Sequence, residues 1–523
     1  MLADDIAAAL VSAASPAHGL TAAELADQIG APVREVSFAL FASHGRFRRD
    51  AGSPQRWRLA PRSRPGPPAQ RAPVSRTPAP PPLRAPPSAS LGLYAWQRDA
   101  LRAWEEHGCQ GVIEAVTGTG KTMVGIAAAL DELARRGQVV VLVPTIELQH
   151  QWFAQLERRL PSLGQAGRMG AGAGNSLVTH DVLVAVVNSA RAGDVRPIRQ
   201  GGLLVADECH RYGSAVNHLA LDPRFGRRLG LSATYAREDD GNLAWLDPYF
   251  GGTCFRLGYE RAVADGIVAR FTVALVGVQF SPGEEALYRQ LTGRMAAHRA
   301  ALVELYGVPD EPFEEFMRAL AVLADSEGAG SGAARAYRTA MLERRRLLAD
   351  TSAKDSALSR LAPAVRAADR AIVFTQSIDA AERARVVLSR CGLRAAAMHS
   401  ELAARDRREV LGRFAGGELD VLAAPRVLDE GIDVPAADLA VIVGASRSRR
   451  QMVQRMGRVL RRKPDGRLAR FAVVFVEGTV EDPAYGAHEA FLREVVDVAE
   501  SVSCFPAAVA AGQAGALLAA LEP

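Results

Sequence analysis

The chain has 523 residues, 48% hydrophobic and 23% charged, with a formal net charge of +5. That length allows roughly two to four domains with cores of their own, and the ordinary charged fraction excludes a globally disordered chain. Five cysteines, at positions 109, 209, 254, 391 and 504, form no CxxC pair, so neither a disulfide framework nor a zinc site is expected.

Residues 1–60 read as a small unit. Ile6–Leu10 continue an apolar helical stripe, preceded by Asp4 and Asp5 rather than by the basic region of a secretory signal. Thr21-Ala22-Ala23-Glu24 is a capping box, followed by a short helix to Ile29 and a turn at Gly30. Val33–Ala42 reads as a third helix, with Val36, Leu40 and Phe41 on one side. Phe47-Arg48-Arg49 and Trp57-Arg58-Leu59 flank the turn-like Ala51–Pro54, as a hairpin would. Three helices and a hairpin resemble a winged helix-turn-helix, with Arg46, Arg48, Arg49, Arg56 and Arg58 on the wing. Such a unit binds DNA, or serves as a protein-interaction or lid module. Residues 61–90 hold eleven prolines, five arginines and no acidic residue, the composition of an extended linker.

From Leu91 onward, short apolar runs alternate with helical stretches. The runs are Gly111–Ala115, Val139–Val143, Val182–Val187, Leu203–Ala206, Ile372–Thr375, Val421–Ala424 and Leu439–Val443. Runs of this length between turns indicate buried parallel strands. The pattern occurs twice, which predicts an α/β protein with two tandem parallel-sheet lobes, at 91–275 and 363–480. Residues 276–362 are charge-rich and read as a helical insert, with Arg335–Leu348 and Asp355–Ala367 as helices. Residues 481–523 read as a helical tail, whose alanine-rich end Ala507–Pro523 has an apolar face. No uncharged apolar stretch reaches the roughly 18 residues of a membrane span, so a cytoplasmic, nucleoid-associated protein is expected, and the mild basic excess suits a polyanionic partner.

Two elements carry the chemistry. Ala115-Val116-Thr117-Gly118-Thr119-Gly120-Lys121-Thr122 lies between a strand and a helix and is nearly the phosphate-loop pattern, with Ala115 in place of the first glycine. Gly118 and Gly120 let backbone N–H groups face phosphates at a helix N-terminus. Lys121 is expected on the β and γ phosphates of ATP, and the Thr122 hydroxyl on Mg²⁺. Asp207-Glu208-Cys209-His210 follows the apolar run Leu203–Ala206. Carboxylates at that edge suit Asp207 as a Mg²⁺ holder and Glu208 as the group that orients and deprotonates water.

The order of further motifs resembles superfamily 2 helicases over residues 90–480, which implies that the two lobes are RecA-like. Leu231-Ser232-Ala233-Thr234 is similar to the motif that couples the lobes, and Gln97 to the glutamine that reads adenine. Val143-Pro144-Thr145 resembles a strand-contacting motif, placing Pro144 and Thr145 on nucleic acid. Ile372–Thr375 and Val427–Pro435 match second-lobe motifs, which puts Asp433 near the nucleotide. Gln454–Arg461 matches the arginine-finger motif, implying catalytic roles for Gln454, Arg458 and Arg461.

Within the superfamily the chain resembles the XPB-type DNA helicases. Arg237-Glu238-Asp239 looks like the element implicated there in DNA opening, and the helical insert sits where that family carries a thumb-like DNA-contacting element. The resemblance implies ATP and Mg²⁺ as cofactors, single-stranded, forked or duplex DNA as partner, 3′-to-5′ movement, and a role in repair or remodelling. The winged-helix-like unit stands where the family has a damage-recognition domain, and either it or the C-terminal tail could engage a protein. Two alternatives remain open: a double-strand translocase that does not separate strands, and a DNA-binding regulator whose ATPase acts as a switch.

Overall fold

The structure is a computed structural model. It describes residues 91–522 except 161–163, 200–201, 238, 426–436, 445–455, 458, 464, 486–494 and 508–513, and before them 6, 8–9, 22–30, 36, 47–49, 57–59 and 88. In the N-terminal unit the helix Ala22–Ile29 ends at Gly30, whose φ of 71° lies in the left-handed region. Strands β1 (Phe47–Arg49) and β2 (Trp57–Leu59) pair antiparallel, Phe47 opposite Leu59. The third helix apart from Val36, residues Thr21, Arg46 and Arg56, and the linker apart from Ser88 lie outside the described residues, so the winged-helix expectation rests on the sequence.

The first lobe is built on β3 (Gln110–Ala115), β4 (Val139–Val143), β5 (Ala166–Gly170), β6 (Ala173–Gly174), β7 (Val182–Val186), β8 (Leu203–Asp207), β9 (Arg227–Ser232) and β10 (Thr253–Leu257). They form one sheet in the order β10-β3-β9-β8-β4-β7-β5-β6, parallel except for the β5–β6 pair. The second lobe contains β11 (Phe271–Val278), β12 (Ala371–Thr375), β13 (Ala395–Ala397), β14 (Val421–Pro425), β15 (Leu439–Ile442), β16 (Ala469–Val476) and β17 (Ser501–Phe505), all parallel, in the order β13-β14-β12-β15-β16-β11-β17. The central strands are buried on both faces, which is why they read as unbroken apolar runs.

Two features differ from the sequence reading. The expected lobe boundary at 275 falls inside β11, which pairs along its whole length with β16, so the chain crosses into the second lobe before Phe271. The tail expected to be helical also supplies β17, paired with β11, before the short helix Ala514–Ala519. That helix end packs Leu517 and Leu521 into the second-lobe core.

Inserted in the second lobe between β11 and β12, the helices Pro282–Tyr306, Phe313–Ala324 and Ser331–Asp350 make a third core around Leu291, Leu302, Phe316 and Leu320. Ser281 and Glu284 cap the first of them reciprocally. An apolar cluster continues from the first lobe through Val268 and Phe271 to Leu460 and Phe471, so the two lobes share packed surface. Among the described residues no helix is long and apolar enough to cross a membrane.

Candidate active site

The phosphate loop leaves β3 and turns into the helix Lys121–Ala134. Gly118 and Gly120 both have φ of 85°, a conformation that only glycine adopts without strain. The Thr119 hydroxyl donates to the Val116 carbonyl at 2.7 Å and stiffens the loop from within. Lys121 Nζ donates to the Ala115 carbonyl at 2.8 Å. Burial lowers the pKa of its ammonium, and the nearby carboxylates of Glu208 and Asp207 pull in the opposite direction. Gln97 is buried beside the loop. Its Oε1 accepts from the Tyr94 N–H at 2.8 Å and its Nε2 donates to the Gly120 carbonyl at 3.0 Å. The residue expected on adenine is thus also a brace for the phosphate loop.

Asp207 closes β8, and Glu208 follows with φ of 48°, a strained position for a non-glycine residue that is characteristic of functional sites. Asp207 Oδ2 accepts from the Trp152 indole N–H at 2.7 Å, and Oδ1 from the Glu208 N–H at 3.0 Å. Trp152 was not visible as a site residue from sequence. The available signal was general: a buried indole N–H needs an acceptor. His210 Nδ1 lies 3.0 Å from Ser232 Oγ and 3.5 Å from Glu208 Oε2, so one imidazole nitrogen sits between Glu208 and Ser232. Ser232 Oγ in turn donates to the Thr234 carbonyl at 2.8 Å. The Cys209 thiol is buried, which pushes its pKa well up.

Glu114, one residue before the loop, is a second residue the sequence did not single out. Its Oε2 accepts from Arg256 Nε at 3.0 Å, and its Oε1 from the Tyr235 N–H at 3.3 Å. Arg237 turns inward: its guanidinium grips Asp239 and donates to the His210 carbonyl. Thr145 Oγ1 accepts from the Leu148 N–H at 3.3 Å and caps the helix Ile146–Glu157, with Pro144 directly before it.

The second lobe reaches this site through Gly457 and Arg461. A Cβ on Gly457 would lie 1.7 Å from Thr117 Oγ1, and a Cβ on Gly118 would lie 3.1 Å from the Gly457 carbonyl and 3.7 Å from Arg461 Cγ. The segment is held there from behind by a bridge between Arg461 and Val268 and by the Ala269 N–H on the Leu460 carbonyl at 2.8 Å. Gln454, Arg458, Asp433 and Glu238 lie outside the described residues.

The residue set fits a magnesium ion brought in with nucleotide. Among the described residues no group of three His, Cys, Asp or Glu forms a cage of its own. Magnesium on nucleotides takes one or two carboxylates and keeps phosphate oxygens and waters. Asp207 and the Thr122 hydroxyl on the first helical turn supply that pattern. Trp152→Phe should therefore cost about 1.5–3 kcal/mol, the worth of a hydrogen bond to a charged group. It should also raise the Mg²⁺ concentration needed for half-maximal ATP hydrolysis. Thermal melting with a Mg²⁺ titration checks both, and an unchanged titration would separate Trp152 from the metal.

Residues 90–237 match the family model described as type III restriction enzyme, res subunit, and residues 353–463 match the helicase conserved C-terminal domain. The chain is 27% identical over 382 residues to a protein of Sulfurisphaera tokodaii named DNA 3'-5' translocase XPB2, covering 71% of this chain and 79% of that one. It is 27% identical over 398 residues to the DNA 3'-5' helicase XPB of Kineococcus radiotolerans, covering 74% and 60%. The chain is thus similar to XPB-type superfamily 2 helicases. The two family matches fall on the two lobes and carry the phosphate loop, the acidic pair and the Gly457–Arg461 segment. The chain spans 54% of the length of a Haloarcula marismortui relative, a putative DNA 3'-5' helicase Rad25, at 26% identity. Structures of S. cerevisiae Dbp5 bound to RNA and ADP BeF3 superpose with TM-scores of 0.52 and 0.50 at 13% identity, covering 82% of this chain and 93% of theirs. They show the two-lobed fold.

Proposed function

We propose that this chain is an ATP-dependent DNA helicase or translocase that moves 3′ to 5′ and works in DNA repair or remodelling. The observation that carries the reading is the seating of Gly457 and Arg461 against Thr117–Gly118, opposite the Asp207–Glu208 edge. The second lobe thus closes directly on the phosphate loop of the first.

ATP binds there with Gln97 at the base and the backbone of Thr117–Gly120 on the phosphates. Lys121 then exchanges its bond to the Ala115 carbonyl for phosphate oxygens, whose negative charge offsets the desolvation of its ammonium. Magnesium, held by Thr122 and Asp207 when bound, neutralises phosphate charge. Glu208 accepts the proton of the attacking water. Arg461 meets charge developing on the γ-phosphate, and the motif resemblance gives Arg458 and Gln454 the same task and Asp433 a role in nucleotide binding. The chain Glu208–His210–Ser232 passes the state of this site to the inter-lobe contacts, so hydrolysis shifts one lobe against the other. Strand contacts, with Pro144, Thr145 and the Arg237–Asp239 element among them, go mainly to the phosphate backbone and carry little sequence information. Preference for a DNA structure then comes from residues 1–60. A cytoplasmic protein at the nucleoid, with protein contacts through the N-terminal unit or tail, fits this role.

Strand displacement on a 3′-tailed duplex, run beside removal of a protein roadblock from duplex DNA, tests the reading. Unwinding of the 3′-tailed substrate and not of a 5′-tailed one is expected. Roadblock removal without strand separation would make the chain a double-strand translocase.

A further inference from the structure

Over the C-terminal edge of the second sheet, between that lobe and the three-helix insert, the chain forms a half-open cavity of about 560 Å³. Sites for small molecules span about 300–1,000 Å³, and in parallel sheets they gather at this edge. Gln376, the residue after β12, and Val480, shortly after β16, form the floor. Met295, Met317 and Tyr337 from the insert form a soft apolar wall. Thioether and aromatic groups of this kind suit the face of a flat ring.

The rim is basic. Arg299 is neutralised by Asp310 at 2.7 Å, and Glu481 by the buried Lys354 at 2.6 Å. Arg344 donates to the neutral Thr292 hydroxyl at 3.3 Å, and Arg345 is exposed. Among the described residues neither Arg344, which also lies over the Tyr288 ring at 5.7 Å, nor Arg345 forms an ion pair, so two guanidinium charges at the cavity have no carboxylate partner. An apolar, ring-accepting wall beside two guanidinium forks asks for a flat ring carrying an anion.

We infer that this cavity takes one nucleotide unit, its base against Met317 and its phosphate on Arg344 and Arg345. The inference rests on the proposed DNA motor and adds a site outside the ATP cleft. The Gln376 amide stands at the base edge, and the guanidinium forks match the phosphate. The unit is a nucleotide drawn out of a bound strand or a free mononucleotide, two sources with the same chemistry.

The test uses the full-length chain and fluorescence anisotropy with labelled oligo(dT) and an equally long abasic deoxyribose-phosphate oligomer. Met317→Trp fills the cavity and Arg345→Glu reverses one charge at an exposed position. Each should weaken oligo(dT) binding about tenfold, within the range expected for losing one stacked base. Met317→Trp should leave the abasic oligomer unaffected, whereas Arg345→Glu should weaken it too. ATP hydrolysis without DNA should be unchanged in both. Displacement of oligo(dT) by dTMP from the wild type but not from Met317→Trp assigns the site to a free nucleotide as well; no displacement assigns it to the strand. Wild-type affinity for oligo(dT) in both variants overturns the inference, as does an equal loss on the abasic oligomer in Met317→Trp. Should Met317→Trp melt early, Arg345→Glu carries the test. A wild type whose ATP hydrolysis ignores oligo(dT) would instead overturn the motor reading itself.

Discussion

Arg461→Ala is expected to lower DNA-stimulated kcat for ATP by about 10³-fold, the lower end of what an arginine finger contributes, with a much smaller change in KM. The reason is where the residue sits. Its backbone is bridged to Val268 and its side chain leaves toward Gly118, so it arrives at the phosphate loop from a fixed base. A charge aimed at a site where negative charge develops acts on the transition state more than on bound ATP. Arg461→Lys keeps the charge and loses the planar fork, so it should fall between alanine and wild type. Steady-state kinetics at saturating DNA read the split. A loss confined to KM would make Arg461 a binding residue.

Gly457→Ala should be nearly as damaging although it removes nothing. The added methyl would lie 1.7 Å from Thr117 Oγ1 and 2.1 Å from Thr117 Cβ. Neither the phosphate loop nor the arginine segment can give way without moving a lobe. A displacement of about 1 Å between catalytic groups can cost roughly 10²-fold in rate, and that is the expected drop in kcat. The lobes themselves should keep their melting temperature, because the clash lies between them. Thr117→Gly in the same chain removes the two closest contacts and should restore part of the rate. Normal turnover in Gly457→Ala would mean that the lobes work in a different arrangement.

The parts of the molecule visible in the sequence are those fixed by local backbone chemistry. Val139–Val143 and Ile372–Thr375 read as strands because both their faces are buried. The phosphate loop showed itself because Gly118 and Gly120 need left-handed φ next to a lysine that opens a helix. Other elements were hidden by charge. β9 begins with Arg227 and Arg228, and β10 carries Arg256, which satisfy themselves on Glu132, on backbone carbonyls and on Glu114. β11 lies across the expected lobe boundary, and only its partners β16 and β17, roughly two hundred residues later in the chain, show which lobe owns it. The same limit applies to the site. Trp152 meets Asp207 across 55 residues and Gly457 meets Thr117 across the cleft. No spacing rule connects either pair. The motif order nonetheless pointed to an XPB-type helicase, because each motif is short, local and tied to one phosphate or one lobe contact.

ATP hydrolysis measured against increasing single-stranded, forked and duplex DNA and against RNA, for the wild type and Lys121→Ala, tests the central claim most directly. A DNA-driven motor should show hydrolysis that rises with DNA more than with RNA and disappears in Lys121→Ala. Hydrolysis indifferent to DNA, or surviving without the Lys121 ammonium, would contradict it.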